Sequence, residues 1–443
     1  MLGKIYLLFS DKIKLFYSRE ILSAFKWSFI GQIFTRLINL IAVIILARLM
    51  LPEKYGAYTY LIGTLAFFSQ VVALSIRTTS TRNVAFLLGY DKLSCEKYIK
   101  LTVIIGLILS TVGFMIICIL IVLFSGASAL SYYSIPLLIS AALGIFSELF
   151  YGLILGVLGG LNAFKIINVI TIWSNFAKFI ATIIFYLLFD LEGAVLSWVG
   201  ISIIIALIAF SNLSKKLSQE SLQIYRHSLK SIKKEFLLFT KISVPISIEA
   251  SFILISTWYI QTLVLNVPED GKSQLAMYNV AYQWKSLAIY LPAILINLLQ
   301  PFLSNFHSSG NKSEFNNIIK NTEKIVFAGS TVITIALILF SPLITKLFGK
   351  GFEQSNKILI ILVIPCIFIG LSSLYRETFI SRGFVWLIAI GNFIMSIINL
   401  LLFFYFKNHY SVSISFAISI SIGEVFLFFF YYIIKSKYLT KYE

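Results

Sequence analysis

Residues 25–60 read FKWSFIGQIFTRLINLIAVIILARLMLPEKYGAYTY. An apolar helix starts after Lys26, carries Arg36 inside it, ends at Arg48 and turns at Leu51-Pro52-Glu53-Lys54-Tyr55-Gly56 into a second apolar helix. The 21 residues between Lys26 and Arg48 rise about 31 Å as an α-helix, close to the roughly 30 Å of a bilayer's hydrocarbon core. Ser28, Gln32, Thr35 and Asn39 follow at steps of four, three and four beside Arg36. Such spacing puts them on one face of the helix, so this membrane span has a polar side.

The remainder of the 443 residues extends the pattern, with 59% hydrophobic and 12% charged residues, whereas soluble domains carry about a quarter charged. Apolar runs lie near 24–50, 56–80, 99–124, 134–158, 166–189, 193–213, 237–265, 276–304, 325–348, 356–380, 385–406 and 411–434. The expected fold is all-α and integral to the membrane: about twelve transmembrane helices in two pseudo-repeated six-helix lobes around a central cleft. The expected divisions are a tail (1–23), a six-helix lobe (24–213), a basic linker (214–236), a second six-helix lobe (237–434) and a tail (435–443). LARLMLPE (46–53) ends the first helix of one lobe and TLVLNVPE (262–269) the first helix of the other, 216 residues later, which is the mark of an internal repeat.

The net charge of +17 would suit a nucleic-acid partner, but its placement argues otherwise. Of 36 Lys and Arg residues, 25 fall on the side of the termini, 7 on the opposite side and four within spans. By the positive-inside rule both termini are cytoplasmic, and no nucleic acid is needed to explain the charge. The apolar patch Ile5–Phe9 precedes Asp11, Lys12, Lys14 and Arg19 without a small-residue cleavage pattern, so it is expected as part of a basic cytoplasmic tail. Cys95, Cys118 and Cys366 are far apart and imply neither a disulfide framework nor a metal site.

Four basic residues, Arg36, Arg77, Lys178 and Lys285, sit inside apolar runs, where each ionised group costs about 2.5 to 3.5 kcal/mol. They must face water, a partner or a substrate; Glu148, Glu249, Glu377 and Glu424 are the candidates for ion pairing or ion coupling. Asn168, Thr171, Asn175, Lys178 and Thr182 form one polar stripe, and Asn279, Gln283, Ser286, Tyr290 and Asn297 another, flanked by Tyr282 and Lys285. Stripes of this kind serve helix-to-helix hydrogen bonding or, with long cations in them, an anion-binding cavity. Gly152, Gly156, Gly159 and Gly160 read as close helix packing, as do Asn392, Ser396 and Asn399. Neither HExxH, GxSxG nor GxxxxGK occurs, and the three histidines are scattered through loops. A transporter is expected, not an enzyme, with no cofactor.

IILARLMLPEKYGAY (44–58), GLNAFK (160–165), LEGA (191–194), Pro245, LAMYNVAYQW (275–284) and LFGKGF (347–352) together resemble the Wzx-type polysaccharide flippases of the multidrug/oligosaccharidyl-lipid/polysaccharide exporter superfamily. The resemblance implies alternating access and movement of an undecaprenyl-diphosphate-linked oligosaccharide repeat unit from the cytoplasmic to the periplasmic leaflet, for O-antigen, lipopolysaccharide or another surface polysaccharide. It implies residence in the bacterial cell inner membrane, contact with membrane lipids, and work beside a polysaccharide polymerase and a chain-length regulator. Likeness to the lipid II flippases implies diphosphate contacts for Arg36, Arg77 and Lys285; Lys178, Asn175, Gln283 and Tyr282 complete the expected substrate-binding set, with Trp284 and Tyr290 for sugar stacking. Many relatives carry an acidic residue late in the seventh helix where this chain has Ser256-Thr257-Trp258-Tyr259, leaving Glu249 as the nearest carboxylate for proton or sodium coupling. Two other functions compete: a cation-coupled multidrug exporter of the same fold, and a membrane polysaccharide polymerase, which the short outer loops disfavour.

Overall fold

The computed structural model describes residues 19–73, 75–124, 133–223, 233–308, 312–381 and 384–439. The expected N-terminal tail before Arg19 and the centre of the linker, 224–232, lie outside them. Among the described residues the chain is helical without a strand: α1 (Arg19–Val72), α2 (Ile76–Tyr90), α3 (Lys92–Phe124), α4 (Ile135–Gly160), α5 (Phe164–Gln219), α6 (Lys233–Leu265), α7 (Gly271–Ser308), α8 (Lys312–Lys346), α9 (Ser355–Val363), α10 (Cys366–Ser381), α11 (Val385–Phe406) and α12 (Val412–Leu439). Helix extends into both ends of the expected linker, since α5 runs to Gln219 and α6 begins at Lys233.

Helix dominates because lipid offers no partner for a free peptide group, and an α-helix satisfies its own. Among the described residues eight helices are long and apolar enough to cross a membrane alone, nine when the bent pair α9–α10 counts as one. Two of the eight cross twice. α1, of 54 residues, breaks at Leu51 (φ 59°, ψ 168°) immediately before Pro52, whose ring disfavours helical geometry in the preceding residue. α5, of 56 residues, breaks at Phe189 and Asp190 (φ 55°, ψ −144°). α9 and α10 meet at 41° across Ile364-Pro365. With α7, which carries Lys285 and a polar stripe, these make the twelve crossings that the apolar runs predict. At the head of α3, the Asp91 carboxylate accepts from the Ser94 hydroxyl, the Ser94 amide and the Leu93 amide, which hold it below its usual range.

The buried side chains form three clusters. One joins both lobes, from Leu46, Tyr55 and Val195 to Ile260, Tyr278, Phe348, Phe352 and Phe416. A second belongs to the first lobe with Phe239 of α6, and a third, around Leu374, Phe379 and Tyr431, to the second lobe alone. The lobes therefore share their largest core at the end marked by Pro52, while towards the other end the first lobe's core takes in only Phe239 of α6 and the second lobe has a core of its own.

At the Pro52 end the two repeat-related turns meet. A Cβ on Gly56 would lie 1.9 Å from the Lys272 carbonyl oxygen. Gly56 and Lys272 are also 216 positions apart, the spacing of the repeat, so the contact pairs equivalent positions of the two lobes, as residues close to a two-fold axis must. Lys272 Nζ reaches Glu53 at 3.1 Å, Arg48 Nε donates to the Leu347 carbonyl at 2.6 Å, and Tyr55 meets Phe352 edge to face. Gly349 and Gly351 (φ 89° and 86°) shape the turn that brings LFGKGF over Pro52, where a Cβ on Gly351 would lie 2.7 Å from the proline ring. Farther in, Tyr60 shares a hydroxyl–hydroxyl bond with Thr262 at 2.9 Å, Asn279 donates to Thr59 at 2.8 Å and Trp258 to Thr64 at 3.1 Å.

Because backbone blocks the space at Gly56, G56L is expected to hold the lobes apart at this end. Thiol labelling of a cysteine placed at Thr262 should then rise several-fold over the same cysteine with Gly56 intact; unchanged labelling would show that this contact does not close the lobes.

Candidate functional site

Within the spans, Glu148, Glu249, Glu377 and Glu424 each have a cation. In the first lobe Lys178 (α5) pairs with Glu148 (α4) Oε1, which also accepts from Ser202 Oγ at 2.9 Å, while the Lys178 ammonium lies 4.6 Å from the Trp198 ring centre. In the second lobe Lys285 (α7) is 0% exposed and its Nζ sits 2.7 Å from both oxygens of Glu424 (α12). Also in that lobe Arg376 (α10) grips Glu249 (α6) in a fork of 3.1 and 2.9 Å and reaches Glu377 at 2.8 Å. Asn392 (α11) donates to Glu249 at 2.7 Å, and Tyr431 donates to Asn392 Oδ1 at 3.4 Å. Lys178–Glu148, Lys285–Glu424 and Arg376–Glu249 each tie two helices within one lobe.

Arg36 is different. It is exposed on α1, donates from Nη1 to Ser286 Oγ of α7 at 3.1 Å, and lies 4.8 Å over the Tyr290 ring. Both contacts are across the lobes, and neither carries a carboxylate. The stripe of α7 faces this side: Asn279 binds Thr59, and Ser286 and Tyr290 receive Arg36. Aligned dipoles and a π face position the guanidinium without neutralising it.

The expected site residues thus separate into groups. Arg36 stands between the lobes, Arg77 is exposed on the wall of a cavity inside the first lobe, and Lys178 and Lys285 are committed to ion pairs instead of lining an open cleft. The reason is energetic: an unpaired buried ammonium would cost more than the charge-assisted bonds it makes. Asn175 donates to the Thr171 carbonyl of its own helix, and the α5 stripe points to α4 and the second limb of α5, the packing alternative. Tyr282 is exposed and stacks on Tyr278, Gln283 and Trp284 are half-buried on the same helix, and the side chains of Ser28, Gln32 and Asn297 lie outside those described. Two residues escape the sequence reading. Arg376, counted among the basic residues of the terminal side, bonds Glu249 within the lobe, and Asn392, read as packing, binds that carboxylate too. The signal for Arg376 is its place before Glu377 near the end of an apolar run.

Removing one partner of a buried pair strands the other, so K285M should lower unfolding stability in detergent by about 3 to 5 kcal/mol, and K285M/E424L should recover most of it. A double variant as unstable as the single one would contradict the pairing.

Comparison with known proteins sets this geometry in a family. The model of the family described as "Polysaccharide biosynthesis protein" matches residues 21–307. The chain is similar to the Staphylococcus aureus "Capsular polysaccharide biosynthesis protein CapF", 24% identical over 367 residues, covering 81% of this chain and 85% of the relative. Among solved structures it is similar to an inward-facing multidrug resistance MATE family transporter of the MOP superfamily, with a TM-score of 0.75, 15% identity, and coverage of 92% of this chain and 95% of the other. The inward closed conformation of the lipid II flippase MurJ gives a TM-score of 0.73 at 18% identity, covering 92% and 87% of the two chains. This multi-pass membrane chain belongs to the polysaccharide biosynthesis protein family, on a fold shared with MOP superfamily transporters.

Proposed function

We propose that the chain is a flippase that carries an undecaprenyl-diphosphate-linked oligosaccharide repeat unit from the cytoplasmic to the periplasmic leaflet of the bacterial inner membrane, for O-antigen, capsule or another surface polysaccharide. The observation that carries this reading is Arg36, an intramembrane guanidinium held between the lobes by a hydroxyl and a tyrosine ring instead of a carboxylate. Such a cation is suited to a diphosphate, which it meets in a charge-assisted fork. A cationic drug would need the reverse, an unneutralised carboxylate facing the cleft, and Glu148, Glu249, Glu377 and Glu424 each hold Lys or Arg.

In the mechanism, the diphosphate and sugars occupy the interlobe space while the polyprenyl tail stays in lipid. The lobes rock about their shared contacts, opening first towards the termini and then towards Pro52. Basic residues concentrated on the side of the termini support a cytoplasmic placement for both ends. With the cell interior negative, carrying about two negative charges outward is favoured by roughly 4 to 5 kcal/mol per 100 mV. Glu249 and Glu377 share the Arg376 guanidinium, and two carboxylates gathered on one cation suit a proton or sodium ion, so this cluster is the proposed coupling element. Release of the product would hand it to a polymerase and a chain-length regulator.

In proteoliposomes containing a fluorescent undecaprenyl-diphosphate saccharide, R36A is expected to slow translocation by about tenfold or more, the worth of one charged hydrogen bond, with R36K intermediate. Wild-type rates in R36A would overturn the assignment. Under an imposed proton or sodium gradient, E377Q should lose the gradient's acceleration while keeping the basal rate; acceleration equal to wild type would remove the cluster from coupling.

A further inference from the structure

Inside the first lobe lies a cavity of about 310 Å³ between the second limb of α1, the start of α2, α3, α4 and the second limb of α5. It does not include Arg36. Its wall carries Ser69, Gln70, Arg77, Glu148, Gly152 and Trp198. Two glycines that read as packing in the sequence prove to build it in different ways. Gly156 admits the backbone of Arg77, which a Cβ there would approach to 2.7 Å, so the glycine sets Arg77 against the cavity. Gly152 has nothing within 4 Å of where its Cβ would be, so that side of the wall is open space.

The polar groups of the wall are not used up by the protein. Ser69 Oγ is buried without a hydrogen-bond partner. Glu148 takes both Lys178 and Ser202 on Oε1, leaving Oε2, and Gln70 spends its Nε2 on the Ala66 carbonyl at 3.3 Å, leaving Oε1. An orphaned buried hydroxyl is costly unless something fills the space beside it. Donors, acceptors and an indole face around a volume at the lower end of small-ligand cavities fit one polar ring rather than a chain. The charge is specific as well: Lys178 balances Glu148, so Arg77 gives the wall one excess positive charge.

We propose that this cavity is a subsite for a single acidic sugar residue, a pyranose ring bearing one anionic substituent, with Arg77 on the anion, Glu148 and Gln70 on hydroxyls and Trp198 against the ring. The inference rests on reading the chain as a carrier of saccharides, and it makes the first lobe a reader of sugar identity, apart from the diphosphate site at Arg36.

The test is saturation-transfer NMR on the full-length protein in nanodiscs with free glucuronate, glucose 6-phosphate and glucose. Glucuronate or glucose 6-phosphate, whichever places its anion on Arg77, should bind at least about tenfold more tightly than glucose, the value of one charge-assisted bond. R77Q should abolish that difference. G152L, whose Cβ has nothing within 4 Å and whose side chain would occupy the cavity, should remove binding of all three while the protein keeps its thermal unfolding temperature. Inorganic pyrophosphate, a probe for the Arg36 site, should not displace the sugar. Equal binding of glucose, wild-type binding in both R77Q and G152L, or displacement by pyrophosphate would each overturn the proposal. Translocation is not read in this assay, so a negative result leaves the flippase reading standing, and failure of the R36A experiment leaves this one standing.

Discussion

A charge buried in hydrocarbon needs a partner, and three ion-paired clusters inside this protein answer that demand. Lys178–Glu148 fastens α5 to α4, Lys285–Glu424 fastens α7 to α12, and Arg376 gathers α6 and α10 through Glu249. None of these pairs crosses from one lobe to the other. Ion pairs at membrane depth hold the helices they join together within a lobe, because separating such a pair would expose two uncompensated charges. What joins the lobes is different in kind: apolar contact, hydroxyl bonds, and at the Pro52 end the Lys272–Glu53 pair, whose glutamate is 63% exposed at its side chain. Contacts of that sort exchange with water at modest cost, as a surface that opens and closes must.

This division of labour explains why Arg36 stands out. It lies where the two bodies meet, and its contacts are a serine and a tyrosine of the opposite lobe. Were it paired with a carboxylate across that boundary, an anionic ligand would have to displace the pair before binding. A guanidinium aligned by a hydroxyl and a ring is ready for an anion, and an anion bound there would bridge both lobes.

Much of this was legible in the sequence because period and length are one-dimensional. The 21 residues between Lys26 and Arg48, the Pro-Glu turns 216 residues apart and the stripe from Asn279 to Tyr290 all translate directly into a span, a repeat and a face turned to the other lobe. Pairing was not legible. Lys285 and Glu424 are 139 positions apart and Arg376 and Glu249 are 127 apart, and no period connects them. The same stripe logic that put Ser286 on one face with Asn279 and Tyr290 placed Lys178 on a hydrated face, and Glu148 of a neighbouring helix pairs with it there. The glycines of α4 show the limit from the other side: their spacing says that something comes close, but not that Gly156 receives Arg77 while Gly152 borders empty space.

The most direct measurement is the leaflet position of undecaprenyl-diphosphate-linked oligosaccharide in cells lacking this gene, scored by accessibility to a sugar-specific probe that does not cross the membrane. If the chain carries the lipid-linked unit, that unit will be made and will accumulate on the inner leaflet, and restoring the wild-type gene will return it to the outer face. If the unit reaches the outer face normally and only later polymer assembly fails, the protein acts after translocation and is not the flippase.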